Sequence, residues 1–542
     1  MKLVSVAEMI AIEREADAAG LSYEQMMENA GAGLAEIIQD LDVEAGDRAV
    51  LGLVGPGNNG GDALVALSLL ASAGWQARAY LVKREQDSLV RRLQKAGGQI
   101  FGVGKDKAFE ELATLMSSST ILMDGLLGTG SRPPVREDVS AVMVEVNRLI
   151  AVLESSPYVV AVDCPSGTDC DTGAVPDECI AADLTVTMAA VKQGLLAMPA
   201  YEFAGDLMVV GIGLPANLTS LRSIQTDVVE EDLVAAILPS RSPLAHKGTF
   251  GTAMIAAGSV NYTGAALLAG SAAYRVGAGL VTLAVPAPLH QALAGVLPEA
   301  TWLILPQELG VISRDAAEVL VNGLAASTAM LIGPGLGTEP TTEEFVARLL
   351  ASEIRVTKMA APMGFVGAGG ARGESITGRL PSMVVDADGL RLLARTKDWH
   401  KMLPPEAVLT PHPGEMAVLT GLSKDEIQSD RRAVAATYAK AWGHVVVLKG
   451  AFTVIAGPQG QLAVVPVATA ALARAGTGDV LAGVIVGLRA QGVGAYESGL
   501  AGAWIHAQAG LYAARRVGNA ASVLAGDVLG SVPDVISDLP SA

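Results

Sequence analysis

The chain has 542 residues, of which 51% are hydrophobic and 17% charged; that supplies large cores for roughly two to four domains and excludes a disordered chain. A formal net charge of -18 excludes whole-surface attraction to nucleic acid or anionic membranes. A pocket walled by backbone N–H groups can still hold an anion.

The N-terminus runs into Glu13, Arg14, Glu15 and Asp17 too soon for a signal peptide, and no charge-free apolar run is long enough to span a bilayer. Cys164, Cys170 and Cys179 are odd in number and spaced unlike a zinc site, which reads as free thiols in a reducing compartment. The expectation is a cytoplasmic protein with no membrane partner.

In Leu21 to Leu41 the apolar residues Met26, Ala30, Leu34, Ile37 and Leu41 recur three or four apart, which predicts a helix. Short apolar runs follow: Ala49–Val54, Ile121–Met123, Tyr158–Val162, Leu184–Met188 and Leu207–Val210. The second half continues with Ala253–Ala256, Leu280–Val285, Met330–Ile332, Met383–Val385, Val408–Leu409 and Val445–Leu448. Runs this short, separated by helix-length segments, predict α/β architecture with parallel sheets covered by helices. Pro215 and the Ser, Thr and Asn residues between Leu214 and Asp227 mark a boundary, giving domains 1–220 and 221–542. The glycine-rich segment 360–378 reads as a loop before the strand at Met383.

The first chemical constellation is Gly55-Pro56-Gly57-Asn58-Asn59-Gly60-Gly61-Asp62, between a predicted strand and a helix from about Ala63 to Ala73. Alone it is an ordinary strand-to-helix turn or an anion site. Two further strands end in acids: Asp124 before Gly125, and Asp163 before Cys164-Pro165-Ser166-Gly167. Ligands in open α/β sheets bind outside the carboxyl ends of the strands, so Asn59, Asp124, Asp163 and Ser166 are expected around one crevice. Oxygen ligands without His or Cys favour a hard cation over zinc.

These motifs, with Met27-Glu28-Asn29-Ala30-Gly31 before them and Asp171-Thr172-Gly173 after, resemble the NAD(P)H-hydrate epimerase domain over roughly residues 1 to 215. The resemblance implies a Rossmann-like fold that interconverts the R and S epimers of the hydrated cofactor. It implies a potassium ion held by Asn59, Asp124 and Ser166. It places the substrate on Asn58, Asn59, Gly60, Gly61 and Asp62, on Gly128, Thr129, Gly130, Ser131, Arg132, Pro133 and Pro134, and on Asp163. Asp163 is the candidate acid/base, since epimerisation moves a proton at or near the hydroxyl; Lys192 is a candidate for orienting it. Ala63 departs from the family pattern, which commonly has Gly there; its methyl is tolerated if φ is negative.

The second constellation is Ala475-Gly476-Thr477-Gly478-Asp479 before the apolar run Val480–Leu488. It is either a glycine-rich helix start with a stabilising acid or an anion hole with Asp479 as base. No Gly-Lys-Ser/Thr follows, so it is not a P-loop. Its companions are Lys449-Gly450-Ala451-Phe452-Thr453 after a strand, His412 in Thr410-Pro411-His412-Pro413, Gly333-Pro334-Gly335-Leu336-Gly337, and Asp386-Ala387-Asp388.

Together with Tyr262-Thr263-Gly264-Ala265-Ala266 and His246-Lys247-Gly248, these resemble the ADP-dependent NAD(P)H-hydrate dehydratases of the ribokinase-like superfamily, over roughly residues 228 to 540. The resemblance assigns Ala265, Gly335, His412 and Asp479 to the hydrated cofactor, and Lys449, Gly450, Ala451, Phe452, Thr453 and Gly478 to the adenine nucleotide. It implies ADP as phosphoryl donor with Mg2+, small-molecule substrates only, and a homo-oligomer. The rival reading is a ribokinase-like kinase for a small alcohol with a regulatory first domain, which would release a stable phosphoester.

Overall fold

The computed structural model describes residues 1–42, 48–106, 108–351, 354–357, 375–378 and 380–540. The chain separates into two compact units, Met1–Asp227 and Val228–Ala542.

In the first unit seven strands form one sheet in the order Gln99–Gly102, Gln76–Leu81, Ala49–Val54, Ile121–Gly125, Tyr158–Val162, Leu184–Met188, Asp206–Val210. Every neighbouring pair is parallel. A parallel sheet is buried on both faces, and Ala49–Val54 and Ile121–Gly125 are buried at every residue. One face packs on Ile12, Met26, Leu34, Leu64 and Leu67, the other on Leu112, Val139, Val142 and Met143. After Ala49–Val54 the chain adds strands on one side; from Ile121–Gly125 it adds them on the other. The order therefore reverses between these two strands, which is where an open sheet leaves a crevice.

The second unit repeats the logic. Its parallel strands run Val445–Leu448, Val408–Leu409, Ser382–Val385, Ala329–Ile332, Thr252–Ala256, Leu280–Pro286, Thr301–Leu305. Val454–Ala456 and Leu462–Val464 continue antiparallel beyond Val445–Leu448. The reversal lies between Thr252–Ala256 and Ala329–Ile332. Helix Thr477–Ala490 is buried almost all round, as expected of a helix held inside a core.

Three outcomes differ from the sequence reading. Strands Gln76–Leu81, Gln99–Gly102 and Thr301–Leu305 and the antiparallel pair were not anticipated. Residues 375–378 of the glycine-rich segment form a strand antiparallel to Ile354–Thr357, so that end is not loop; 360–374 lie outside the described residues. Both glycine motifs also start their helices earlier than expected: Asn58–Ser72 begins inside the first, capped by Gly57, and Thr477–Ala490 inside the second, capped by Gly476 at φ +89°. All three cysteines are free and buried. Among the described residues no helix is long and apolar enough to cross a membrane.

Candidate active sites

At the first reversal the rim is built by close backbone approach. A Cβ on Gly55 would lie 1.8 Å from the Leu126 carbonyl oxygen, and one on Gly60 would lie 2.2 Å from the Gly55 carbonyl oxygen. Only glycine lets the helix start rest on the strand end. Gly60→Ala is therefore expected to destabilise the first unit by about 1–3 kcal/mol, read as a lower melting temperature. Ala63 lies in this helix, its methyl buried against Gly125; it does not carry the positive φ that would have strained it.

Asn59, Asp124 and Ser166 converge in a chain of hydrogen bonds. Asn59 Nδ2 donates to the Leu127 carbonyl at 2.9 Å, and Leu127 N donates to Ser166 Oγ at 2.9 Å. Ser166 Oγ donates to Asp124 Oδ1 at 2.6 Å, and its amide to Oδ2 at 2.9 Å. Asp124 is fully buried, and burial raises its pKa despite the Ser166 bonds. Asn59 Oδ1 is buried with no donor. A buried carboxylate beside an orphaned carbonyl oxygen suits a cation held by oxygen ligands.

Next to them lies a cavity of about 790 Å³. Asn58, Asn59, Asp62, Gly128, Thr129, Gly130, Ser131, Arg132, Pro134 and Asp163 line it. Gly60, Gly61 and Pro133 do not: Gly60 faces Gly55, and Gly61 faces the Met27 side chain. Asp163 has φ +65°. Its Oδ1 accepts from Lys192 Nζ at 2.5 Å, Met188 N at 2.9 Å and Thr187 Oγ1 at 3.0 Å; Oδ2 has none of these bonds. Lys192 is 1% exposed and also donates to Thr187 Oγ1 and the Met188 carbonyl. It is thus fixed against one carboxylate oxygen, an arrangement that orients the other.

Two further acids border this cavity. Burial first, then Asp163 and Glu13, push the Asp62 pKa well above the ordinary aspartate value, with Lys192 and Arg84 opposing. Glu13 is raised by burial, with Lys192 opposing. Sequence reading missed Glu13 as a site residue. It sits in helix Val6–Ala18 outside any motif, and its only signal is an acid beside the inward-facing Ile12.

In the second unit successive strand ends deliver the second set. Gly335 follows Ala329–Ile332; a Cβ there would meet Ala265 Cβ at 2.9 Å and Tyr262 Cβ at 2.7 Å. Ala265 and Gly335 are therefore neighbours at the reversal. The Gly337 amide donates to Asp388 Oδ2 at 3.0 Å. Lys449 Nζ contacts Asp386 Oδ1 at 2.6 Å and Glu415 Oε2 at 3.8 Å. A Cβ on Gly478 would lie 3.6 Å from Lys449 Nζ and 3.9 Å from Asp386 Oδ2. Lys449, Asp386 and the Gly478–Asp479 turn thus form one cluster.

Burial pushes the Asp479 pKa up to about 7, Asp386 adds to it, and Lys449 opposes it. Burial lowers the Lys449 pKa, but Asp386 and Glu415 outweigh that and the net shift is upward. His412 caps helix Pro413–Thr420: its Nδ1 accepts from Gly414 N at 2.9 Å and Glu415 N at 3.3 Å. Burial first, then Lys449, lower its pKa. Its Nε2 lies 3.3 Å from Glu415 Oε1, so both ring nitrogens face the first turn of this helix. Glu415, buried and raised by burial with Lys449 opposing, was not singled out from sequence. Thr453 Oγ1 turns inward to the Gly450 carbonyl at 2.9 Å.

Two parallel-sheet units, each with glycine-bound helix starts and shifted carboxylates at the point of strand reversal, define a two-site α/β enzyme. A family described as YjeF-related protein N-terminus matches residues 23–194, and one described as NAD(P)H-hydrate dehydratase matches 253–357 and 371–532. A bifunctional NAD(P)H-hydrate repair enzyme from Moorella thermoacetica is 35% identical over 99% of this chain and 97% of its own. One from Salinibacter ruber is 36% identical over 96% and 93%. A crystal structure of ADP/ATP-dependent NAD(P)H-hydrate dehydratase from Bacillus subtilis, obtained with ATP and Mg2+, shares 28% identity over 59% of this chain and 100% of its own, with a TM-score of 0.45. The chain belongs to the family of bifunctional NAD(P)H-hydrate repair enzymes, in which an epimerase domain precedes an ADP-dependent dehydratase domain; here both are α/β domains with parallel sheets.

Proposed function

We propose that residues 1–220 carry the epimerase and 221–542 the dehydratase, and that each site works through the residues assigned above. The observation that carries the reading is the pairing, at each sheet reversal, of a peptide-lined helix start with a carboxylate fixed or shifted by burial.

In the first site the free oxygen of Asp163 takes the hydroxyl proton as the bond from the hydroxyl-bearing carbon to the ring nitrogen breaks, its electron pair going to that nitrogen. The aldehyde so formed rotates, the nitrogen re-forms the bond on its other face, and Asp163 returns the proton to the oxygen. Lys192 holds the carboxylate in place. Asp62, which lines the same cavity, contributes a polar contact to the substrate. The orphaned Asn59 oxygen and buried Asp124 fit potassium, with Ser166 as third ligand; the ion supplies positive charge for an anionic substrate group.

In the second site Ala265, Gly335 and His412 hold the S-hydrate, and Lys449 to Thr453 with Gly478 hold ADP. Asp479 accepts the proton of the hydrate hydroxyl as that oxygen attacks the β-phosphorus of ADP and AMP leaves. The C–O bond then breaks with its electron pair going to phosphate, a ring proton is lost, and the dihydronicotinamide is restored. Among the described residues no group of three or more His, Cys, Asp or Glu forms a ready cage for a metal ion. Magnesium is therefore expected to arrive on the nucleotide phosphates. The family resemblance supports a cytoplasmic homo-oligomer acting on small molecules.

The test is recovery of the reduced-cofactor absorbance from mixed hydrate epimers with ADP and Mg2+. Complete recovery with one AMP and one phosphate per turnover is expected. Recovery that stops at the S fraction removes the epimerase assignment. A stable phosphoester product removes the dehydratase assignment in favour of a kinase.

A further inference from the structure

The nucleotide loop of the second unit is held from behind by a residue outside every motif. Arg431 opens helix Arg431–Trp442. Its Nη2 donates to the Leu448 carbonyl at 2.8 Å and its Nη1 to the Ala451 carbonyl, one on each side of Lys449-Gly450. A Cβ on Gly450, whose φ is +147°, would lie 2.9 Å from Arg431 Nη2. The guanidinium therefore packs directly against the glycine.

The two gripped peptides are fixed at their nitrogens as well. Lys449 N donates to the Pro411 carbonyl at 2.9 Å and Phe452 N to the Val467 carbonyl at 3.0 Å. The peptides between them behave differently: the exposed Gly450 and Ala451 have no acceptor for their N–H groups among the described residues. Successive free N–H groups on a clamped backbone form an anion-binding concavity.

Arg431 is also a half-buried cation without a carboxylate partner among the described residues. Its Nε is buried with no acceptor, and no carboxylate among the described residues pairs with it. Burial alone lowers its pKa to about 10, so it stays charged. Desolvated charge without an opposite charge is unfavourable, and an anion bound on the loop would relieve it.

We propose that Arg431 is the positioning residue of the nucleotide loop: it clamps the Leu448 and Ala451 carbonyls so that the intervening N–H groups face a nucleoside diphosphate, and its half-buried charge strengthens that binding. This rests on the assignment of Lys449–Thr453 to the nucleotide.

The test uses the full chain with Arg431→Met, Arg431→Lys and, in parallel, Lys449→Met. ADP binding is measured by calorimetry with Mg2+, alongside the Michaelis constants for ADP and S-hydrate. Arg431→Met is expected to weaken ADP binding about tenfold or more while the hydrate constant stays within about twofold. Arg431→Lys, which keeps charge but loses the fork, should fall between, with the salt dependence of ADP binding preserved. A structural role alone would raise both constants together, and that result, or unchanged ADP affinity in the Arg431 variants, overturns the proposal. If Arg431→Met does not fold, Arg431→Lys decides by the same split. Should Lys449→Met also leave ADP binding intact, it is the nucleotide assignment that fails; should Lys449→Met alone weaken it, only the role of Arg431 fails.

Discussion

Asp479→Asn is expected to abolish conversion of the S-hydrate, with turnover falling roughly 10²–10⁴-fold, while interconversion of the epimers continues at its normal rate. Asparagine keeps the size of the side chain in the first turn of Thr477–Ala490 but cannot take a proton. ADP binding should persist, because Lys449 and the loop amides remain. The pH dependence follows from the raised Asp479 pKa of about 7. The group is protonated below that value and useless as a base, so kcat/KM for the hydrate should rise tenfold per pH unit on the acid side and level off above about 7. Asp386→Asn removes a charge that raises this pKa and releases Lys449 to lower it. The acid limb should then move to lower pH. A limb that stays near the ordinary carboxylate range in the unaltered enzyme would reject Asp479 as the base.

Asp163→Asn is expected to be costly in two ways. Epimerisation should fall roughly 10²–10⁴-fold, leaving the R-hydrate unrepaired while the S-hydrate is still consumed. Stability should fall too, because Lys192 is 1% exposed and would lose its counter-ion. Breaking a buried pair costs about 3–5 kcal/mol, a melting shift on the order of 10 °C for a unit of this size. The double variant Asp163→Asn/Lys192→Met removes the stranded charge and should regain most of the melting temperature without regaining activity. Activity returning along with stability would show that the single variant failed by unfolding, and would remove Asp163 as acid/base.

Strands buried on both faces were legible as apolar runs. Ala49–Val54 and Val445–Leu448 are buried at every residue, so composition alone marks them. The missed strands lie toward the sheet edges, where one face is partly wet. Gln76–Leu81 begins with exposed Gln76, and Thr301–Leu305 is buried only at Leu305. Their patterns mix polar and apolar residues and resemble loops or helix faces. The motifs were legible as chemistry but misread as structure: Gly, Asn and Asp have poor intrinsic helix propensity, yet Asn58–Asp62 and Thr477–Asp479 form first turns because tertiary packing holds them there. The upward pKa shift of Asp62 and the involvement of Glu13 and Glu415 were invisible, since they depend on burial by residues distant in sequence.

The two helix starts also set how affinity and turnover answer to acidity. Asn58–Ser72 and Thr477–Ala490 present peptide nitrogens at the ligand-facing rim, and a peptide N–H does not ionise in any ordinary buffer. The carboxylates beside them do. Grip on the anionic parts of the substrates is thereby separated from the proton chemistry, and a drop in cellular pH should slow repair of the dinucleotide without releasing it.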